Sequence, residues 1–558
     1  MIDLEQEQKI TNYSLPIEII GNILPDKEAI KDFRTLINKV DPKNNFLQDR
    51  LKLQEVFLDL NPEIFTDKNF RKIFLNSNYQ KDNFKKFIKD IGITDKITTA
   101  NKEKIIKKAS SFSWGDNKET KFFVNRFQLD DSFMPEKTYN YVELEELPPA
   151  ETPYEEMFVY QTIIYEKAFG LLRKPNQNFI IQIPTGGGKT KIAMEIVTKI
   201  FNTKTNQKIL WIADRKELCQ QASSSFEKIW QHKGTKKIIL NRCWERLNFK
   251  QGVKGNNLII ATIDKIINLK KNNKNIDADI IIYDEAHHAL APKYKSAIIF
   301  ARKDVCNLIG LTATPGRSYD DEEENEELSK MFDDELVRIK DEITNTGKKV
   351  SSIKYLQTIG VLSKAIKKPE IKIPVLKNIF TKAELKSFES KTDYSRKDLE
   401  KIGRNNLRNL KILEELVKVA ESKKQILFFA TSVTQSKLMF ACIKHLGFSA
   451  AHIDGSTDTQ FRENSIKKFQ ESKIQILFNF QVLTAGFDAP CIQVVFIARP
   501  IKSPVTLLQM IGRGMRGKKV ERGTEYFDLY YVRDGIFEKF AGIDDMFNMF
   551  TSYFKQGK

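Results

Sequence analysis

The run Pro184-Thr185-Gly186-Gly187-Gly188-Lys189-Thr190 gathers the residue types that hold a phosphate. Its glycines free the backbone to turn N–H groups inward. An apolar run precedes it and a helical run follows, so the loop sits at a helix N-terminus, where partial positive charge favours an anion. Lys189 is suited to bridge two phosphates of a nucleoside triphosphate, and Thr190 to hold Mg²⁺. The full G-x-x-x-x-G-K-[ST] pattern is not met, because Ile183 stands where the first glycine belongs. Further along, the apolar run from Ile280 to Tyr283 ends in Asp284-Glu285-Ala286-His287-His288. A carboxylate at the end of a buried strand can bind a metal ion through water, and its neighbour can polarise an attacking water. Asp284 is the metal-side candidate and Glu285 the candidate general base.

The elements that must position these groups are legible as two sets of short β-branched runs. FIIQI, KILWIA, NLIIAT, DIIIYD and LIGLTAT alternate with helical stretches, the pattern of a parallel sheet built from βαβ units. After an acidic segment from Tyr319 to Glu335, a second set begins near Gln425: QILFFATS, FSAAHID, IQILFNF, VVFIARP and TEYFDLYY. Before both, Ile30, Phe33, Leu36, Ile37 and Val40 share one helical face, with Asp26 as N-cap candidate. The expected organisation is a helical domain over 1–150, an α/β domain over 151–345 and a linker over 346–400. A second α/β domain follows over 401–540, and a C-terminal helix over 541–558. In that helix Phe547, Phe550 and Phe554 form a stripe expected to dock on the second α/β domain.

Composition narrows the setting. The 558 residues carry a net charge of +18, which favours polyanionic partners, although lysine-rich composition alone can produce it. The opening MIDLEQEQKITNYS has no apolar core of a signal peptide, and no long uncharged apolar run suggests a membrane span. The five cysteines are scattered without C-x-x-C spacing, which argues against a disulfide framework or zinc ribbon and points to a cytoplasmic setting.

Nine ordered motifs then carry a resemblance: IPTGGGKT, ADRKELCQQA, ATIDKI, DEAHHA, LTATPGR, ILFFATS, HIDGSTD, VLTAGFDAP and QMIGRGMRG. Together they resemble the superfamily 2 helicases from about Tyr154 to Asp534. The similarity is greatest to the branch holding type I and type III restriction motors and excision-repair helicases. The resemblance implies two tandem RecA-like domains, ATP and Mg²⁺ as cofactors, and nucleic acid as partner, with DNA favoured over RNA. It also allows partner subunits of a repair or defence complex. By matched motif, Gln161 reads adenine, though Phe158 and Val159 stand where the family often has arginine and proline. Thr185, Gly186, Gly187, Gly188, Lys189 and Thr190 hold the phosphates. Asp488 contacts nucleotide or couples the domains. Arg516 is the arginine finger, with Arg513 contributing and Gln509 nearby. Thr312 and Thr314 couple hydrolysis to domain motion through His287. Arg215, Thr262, Ser432 and Thr484 contact the nucleic-acid backbone, which carries no base information.

The first 150 residues carry no motif that names a module. A helical substrate- or partner-binding domain, a nuclease and a regulatory cover compete, and the binding domain is the expectation. Asp116 with Glu119-Thr120-Lys121 is the sole echo of a nuclease site, and surface charge accounts for it better.

Overall fold

The structure is a computed structural model. It describes residues 27–41, 56–61, 63–129, 133–134, 144–147, 156–316, 322–339, 342–343, 349–373, 379–384, 393–483, 489, 491–501, 503–520 and 522–534. Thr484, Asp488, Asp26 and the Phe547, Phe550, Phe554 stripe lie outside these residues.

The first set of β-branched runs builds an eight-stranded sheet. Its strands are β1 (Leu144–Leu147), β2 (Asn178–Gln182), β3 (Lys208–Ala213), β4 (Ile238–Cys243), β5 (Asn257–Thr262), β6 (Ala278–Asp284), β7 (Arg302–Thr312) and β8 (Leu336–Arg338). They lie in the order β1-β4-β5-β3-β6-β7-β2-β8, and all pair in parallel except β1 on β4. Helices cover both faces, so the central strands are apolar along their length: Phe179, Ile180 and Ile181 of β2 are fully buried. Register decides what happens at the sheet's edge. Gln182 pairs with Thr312, and Asp284 with Leu311, so β2, β7 and β6 end level with one another. The glycine loop, the Thr312-Ala313-Thr314 turn and the acidic pair therefore share the crevice beyond the C-terminal strand ends, where open α/β sheets bind ligands.

A small antiparallel pair, β9 (Glu342–Ile343) and β10 (Lys349–Val350), precedes the second sheet. That sheet comprises β11 (Lys364–Lys367), β12 (Ile371–Lys372), β13 (Ile426–Phe429), β14 (Ala450–Ile453), β15 (Ile476–Asn479), β16 (Val494–Ile497) and β17 (Tyr526–Arg533). The order is β11-β17-β16-β13-β15-β14, with β12 also on β17, and every pair is parallel. The tandem parallel-sheet fold expected from the motifs is present. The expected linker over 346–400 is corrected, because β11 and β12 commit the chain to the second sheet from Lys364 onward. They are short, lysine-bearing edge strands whose partner lies some 160 residues away, so no local apolar pattern announces them.

The helical N-terminal region is built on α1 (Lys27–Val40), α2 (Lys68–Asn78), α3 (Asp82–Asp90), α4 (Lys102–Ala109) and α5 (Lys118–Phe127). Its core is aromatic. Phe65 lies against Phe70, Phe74, Trp114, Phe123 and Phe133 at centroid distances of 5.1–5.6 Å. This region docks on the second sheet's helices α14 (Asn406–Glu421) and α15 (Val433–His445) rather than on the first lobe. Phe33 meets His445 edge-on at 5.8 Å, Lys444 pairs with Asp59 at 2.8 Å, and the Asn406 amide donates to Asp32 at 2.6 Å. The nuclease echo is taken up locally, with Asp116 in an ion pair with Lys121 at 2.6 Å.

Candidate functional site: the cleft between the two sheets

The glycine loop leaves β2 and enters α7 (Lys189–Thr203) with Gly188 as N-cap at φ +83°. Gly186 also has positive φ (+89°), a conformation that costs an L side chain about 1 kcal/mol or more. Space is the stronger constraint there. A Cβ on Gly186 would collide with the Arg516 guanidinium and lie 2.8 Å from the Met515 carbonyl, both from the second lobe. Reciprocally, a Cβ on Gly512 would come within 2.6 Å of the Thr185 Cβ. The two lobes thus meet through glycines at the phosphate loop.

Arg513 and Arg516 follow α17 (Pro504–Ile511), on which Gln509 is half-buried. Both arginines are buried, at 6% and 8% exposure. Arg516 donates to the Gly512 carbonyl at 3.0 Å, while the Ser363 hydroxyl lies 2.5 Å from the Arg516 carbonyl and so fixes its backbone. Lys189 lies among these charges. Burial pushes its ammonium down, Glu285 and Asp284 pull it back up, and Arg513 and Arg516 oppose them. Asp284 moves the other way: burial, then the charge of Glu285, raises its carboxyl to about 7, against the pull of Lys189. An acidic pair held in so dry a place is the environment a divalent cation relieves. No group of three or more His, Cys, Asp or Glu side chains suited to a metal occurs among the described residues. Thr190 and Asp284 fit Mg²⁺ as one or two protein ligands, the usual number when phosphates and water supply the rest.

Glu285 adopts a left-handed backbone (φ +55°), an uncommon state for a residue with a side chain, and this turns it out of the strand line. His287 Nδ1 is 3.4 Å from its carboxylate and 3.1 Å from the Thr312 hydroxyl. That hydroxyl donates to the Thr314 carbonyl at 2.9 Å. Structure therefore brings the buried His287, Thr312 and Thr314 and the partly exposed Glu285 into one chain of contacts.

Other candidates are placed differently. Gln161 is 3% exposed, and its amide is engaged: it accepts from the Phe158 N–H at 3.0 Å and donates to the Gly187 carbonyl at 3.3 Å. Adenine reading would require those bonds to exchange, so its position here is that of a brace for the phosphate loop. Ser432, expected as a nucleic-acid contact, is placed here as a helix cap. Its hydroxyl caps α15 by accepting from the Gln435 N–H, and Gly403 packs directly over it, leaving 2% exposure. Thr262 is the partly exposed N-cap of α9 (Ile263–Lys271). Arg215 is exposed, yet it crosses between lobes and donates to the Gln481 carbonyl at 2.9 Å. Beside it, Glu217 of α8 (Lys216–Lys233) pairs with Arg462 of α16 (Thr459–Gln470) at 2.8 Å.

Sequence reasoning missed that last pair, and it missed Asp214. The Tyr283 hydroxyl donates to Asp214 at 2.9 Å and His288 lies 3.7 Å away, so Asp214 props the acidic strand end. Its signal was available: an aspartate directly after the apolar run of β3 and before Arg215.

Comparison with known proteins agrees with this architecture. Residues 154–317 match the family described as type III restriction enzyme, res subunit, and residues 408–518 the helicase conserved C-terminal domain. The chain is 24% identical over 375 residues to the IRC3 helicase of Saccharomyces cerevisiae, covering 64% of this chain and 49% of that protein. It is 28% identical over 340 residues to the 51.5 kDa protein of a Lactococcus phage, covering 60% and 62%. The chain thus spans about half to three fifths of these relatives. Among solved structures, the Pyrococcus furiosus Hef helicase domain aligns over 67% of this chain and 95% of that one, at 17% identity and TM-score 0.40. No helix among the described residues is long and apolar enough to cross a membrane. The first sheet thus resembles a restriction-enzyme subunit and the second a helicase C-terminal domain, the pairing expected of the superfamily 2 helicases that the ordered motifs resemble.

Proposed function

We propose that this chain hydrolyses ATP in the cleft between its two sheets and uses the cycle of lobe closure to move along, or open, DNA. One observation carries the reading: Lys189, Asp284 and Glu285 of the first lobe share one cleft with Arg513 and Arg516 of the second, Asp284 and both arginines buried, Lys189 and Glu285 partly so. The glycine loop and Lys189 hold the β- and γ-phosphates. Glu285 takes the proton of the attacking water, oriented by its contact with His287. Arg516 meets the charge that develops on the γ-phosphate, with Arg513 beside it. Mg²⁺, held by Thr190 and Asp284, supplies charge neutralisation on the phosphates when bound. Hydrolysis removes the group that Arg516 grips, so the Thr312–His287 contact and the Glu217–Arg462 pair are the paths by which the lobes register it.

DNA is favoured because the first-lobe match is to a restriction-enzyme subunit. A role in repair, restriction or anti-phage defence, with partner subunits, fits the same likeness. A cytoplasmic setting accords with five buried free cysteines. RNA is the second reading, since phosphate-directed contacts do not distinguish the sugars. One ATPase assay with single- and double-stranded DNA and RNA separates them. Stimulation greatest with DNA supports the reading. Stimulation by RNA alone transfers it to an RNA motor, and no response to any nucleic acid refutes both.

A further inference from the structure

The N-terminal domain carries its charge unevenly. Residues 63–129 hold 15 Lys and Arg against 8 Asp and Glu, a steeper excess than the 91 against 73 of the whole chain. The sharpest concentration is on α4. Ile105, Ile106 and Ala109 bury one face of that helix, and Lys104, Lys107 and Lys108 stand exposed on the other. Their i, i+3, i+4 spacing places like charges one turn apart, where they repel one another, and Glu103, one turn before Lys107, is the single acid on the helix and offsets only part of this. Lys86 and Lys89 of α3 are exposed as well.

The position of α4 is fixed by a buried arginine. Arg71 donates to the Ser110 carbonyl just past the end of α4 (3.1 Å), and to the Phe65 and Thr66 carbonyls at 2.5 and 2.9 Å. The turn holding Phe65 and Thr66 begins beside Glu63 and Ile64. These two face Lys437 and Thr457 of the second lobe across a cavity of about 300 Å³. One guanidinium thus spans the distance from the basic helix to the turn that borders the HIDGSTD loop at a C-terminal strand end.

We propose that the N-terminal domain is a second nucleic-acid contact surface, carried on the second lobe, that holds duplex phosphates through Lys104, Lys107 and Lys108. The chemistry is that of exposed ammonium groups on a polyanion, without base recognition, and it relieves the repulsion along α4. A motor built this way keeps a grip on the duplex that moves with its second lobe. This inference rests on the nucleic-acid reading of the cleft.

The test compares the full-length protein with Lys104→Gln/Lys107→Gln/Lys108→Gln. A control of equal charge change, Lys254→Gln/Lys271→Gln/Lys274→Gln, alters exposed lysines at the end of α9 and in the loops that enter β5 and β6, at the N-terminal strand ends of the first sheet. Affinity for a fluorescent DNA duplex is measured by anisotropy across a salt series. The α4 variant is expected to lower the slope of log K against log salt by about 3, near one per lysine, while the control leaves it unchanged. ATP hydrolysis without DNA stays at the wild-type rate in both. Equal slopes for the wild type and the α4 variant overturn the proposal alone, as does an equal loss in both variants. A wild type that binds no duplex at any salt overturns the nucleic-acid reading together with it.

Discussion

At the scale of the residue, Glu285 and Asp284 are adjacent carboxylates that the fold treats differently. Glu285 is turned out by its left-handed backbone toward His287, whereas Asp284 stays buried at the strand end. Glu285→Gln should therefore bind nucleotide near the wild-type affinity while turnover falls about 10²- to 10⁴-fold. Lys189→Ala should lose turnover through the ground state as well, with weakened nucleotide binding in a fluorescent-analogue titration. Hydrolysis preserved in both variants would remove these residues from the site. The raised carboxyl of Asp284 has a further consequence. Its folded value near 7 exceeds its ordinary 3.8, so its contribution to stability is present below about pH 4 and is lost as pH rises to about 7. In the nucleotide-free protein, Asp284→Asn should raise the melting temperature more at pH 8 than at pH 5. An equal or opposite change would show that burial does not strain this carboxylate.

Elements explain why so much of the site was legible. A glycine loop must follow a strand and precede a helix, and an acidic pair must end a strand, so β2, β6, β7 and α7 announce themselves in the local pattern. What the pattern could not convey was long-range. β11 and β12 pair with a strand about 160 residues later, and Ser432 is sealed by a glycine from a preceding helix. Gln161 turns to the loop because only the tertiary fold places the Gly187 carbonyl beside it. The buried arginine at the start of α14 belongs to this class. Arg408 is fully buried, forms a bidentate pair with Asp534 after β17, and donates to Thr431 after β13 and to the Ala498 carbonyl after β16. It ties three strand ends together. Arg408→Ala leaves Asp534 buried and uncompensated, so a loss of about 3–5 kcal/mol is expected in denaturant unfolding of the second lobe. A loss below about 1 kcal/mol would mean that water replaces the guanidinium at no cost.

For the whole molecule, the two lobes meet through apolar packing and the glycine contacts at the phosphate loop, and charged pairs cross beside these that nucleotide and nucleic acid can both bias. Glu217–Arg462 is partly buried, and the Arg215 contact is exposed and therefore open to exchange for a phosphate. A double-mutant cycle on Glu217→Gln and Arg462→Gln, read as DNA-stimulated turnover, should show coupling of about 0.5–3 kcal/mol. Strict additivity would place the pair outside the closure path. The N-terminal domain is bound to the second lobe by apolar packing and the Lys444–Asp59 pair, an association no sequence pattern foretold because its two halves lie some 385 residues apart. The central claim is that ATP is hydrolysed between the lobes, and Arg516 is the group that makes the second lobe part of the chemistry. Single-turnover hydrolysis by Arg516→Ala, with nucleotide affinity measured in parallel, tests this most directly. The arrangement predicts a fall of about 10³-fold or more at little-changed affinity. Hydrolysis at near the wild-type rate would contradict it.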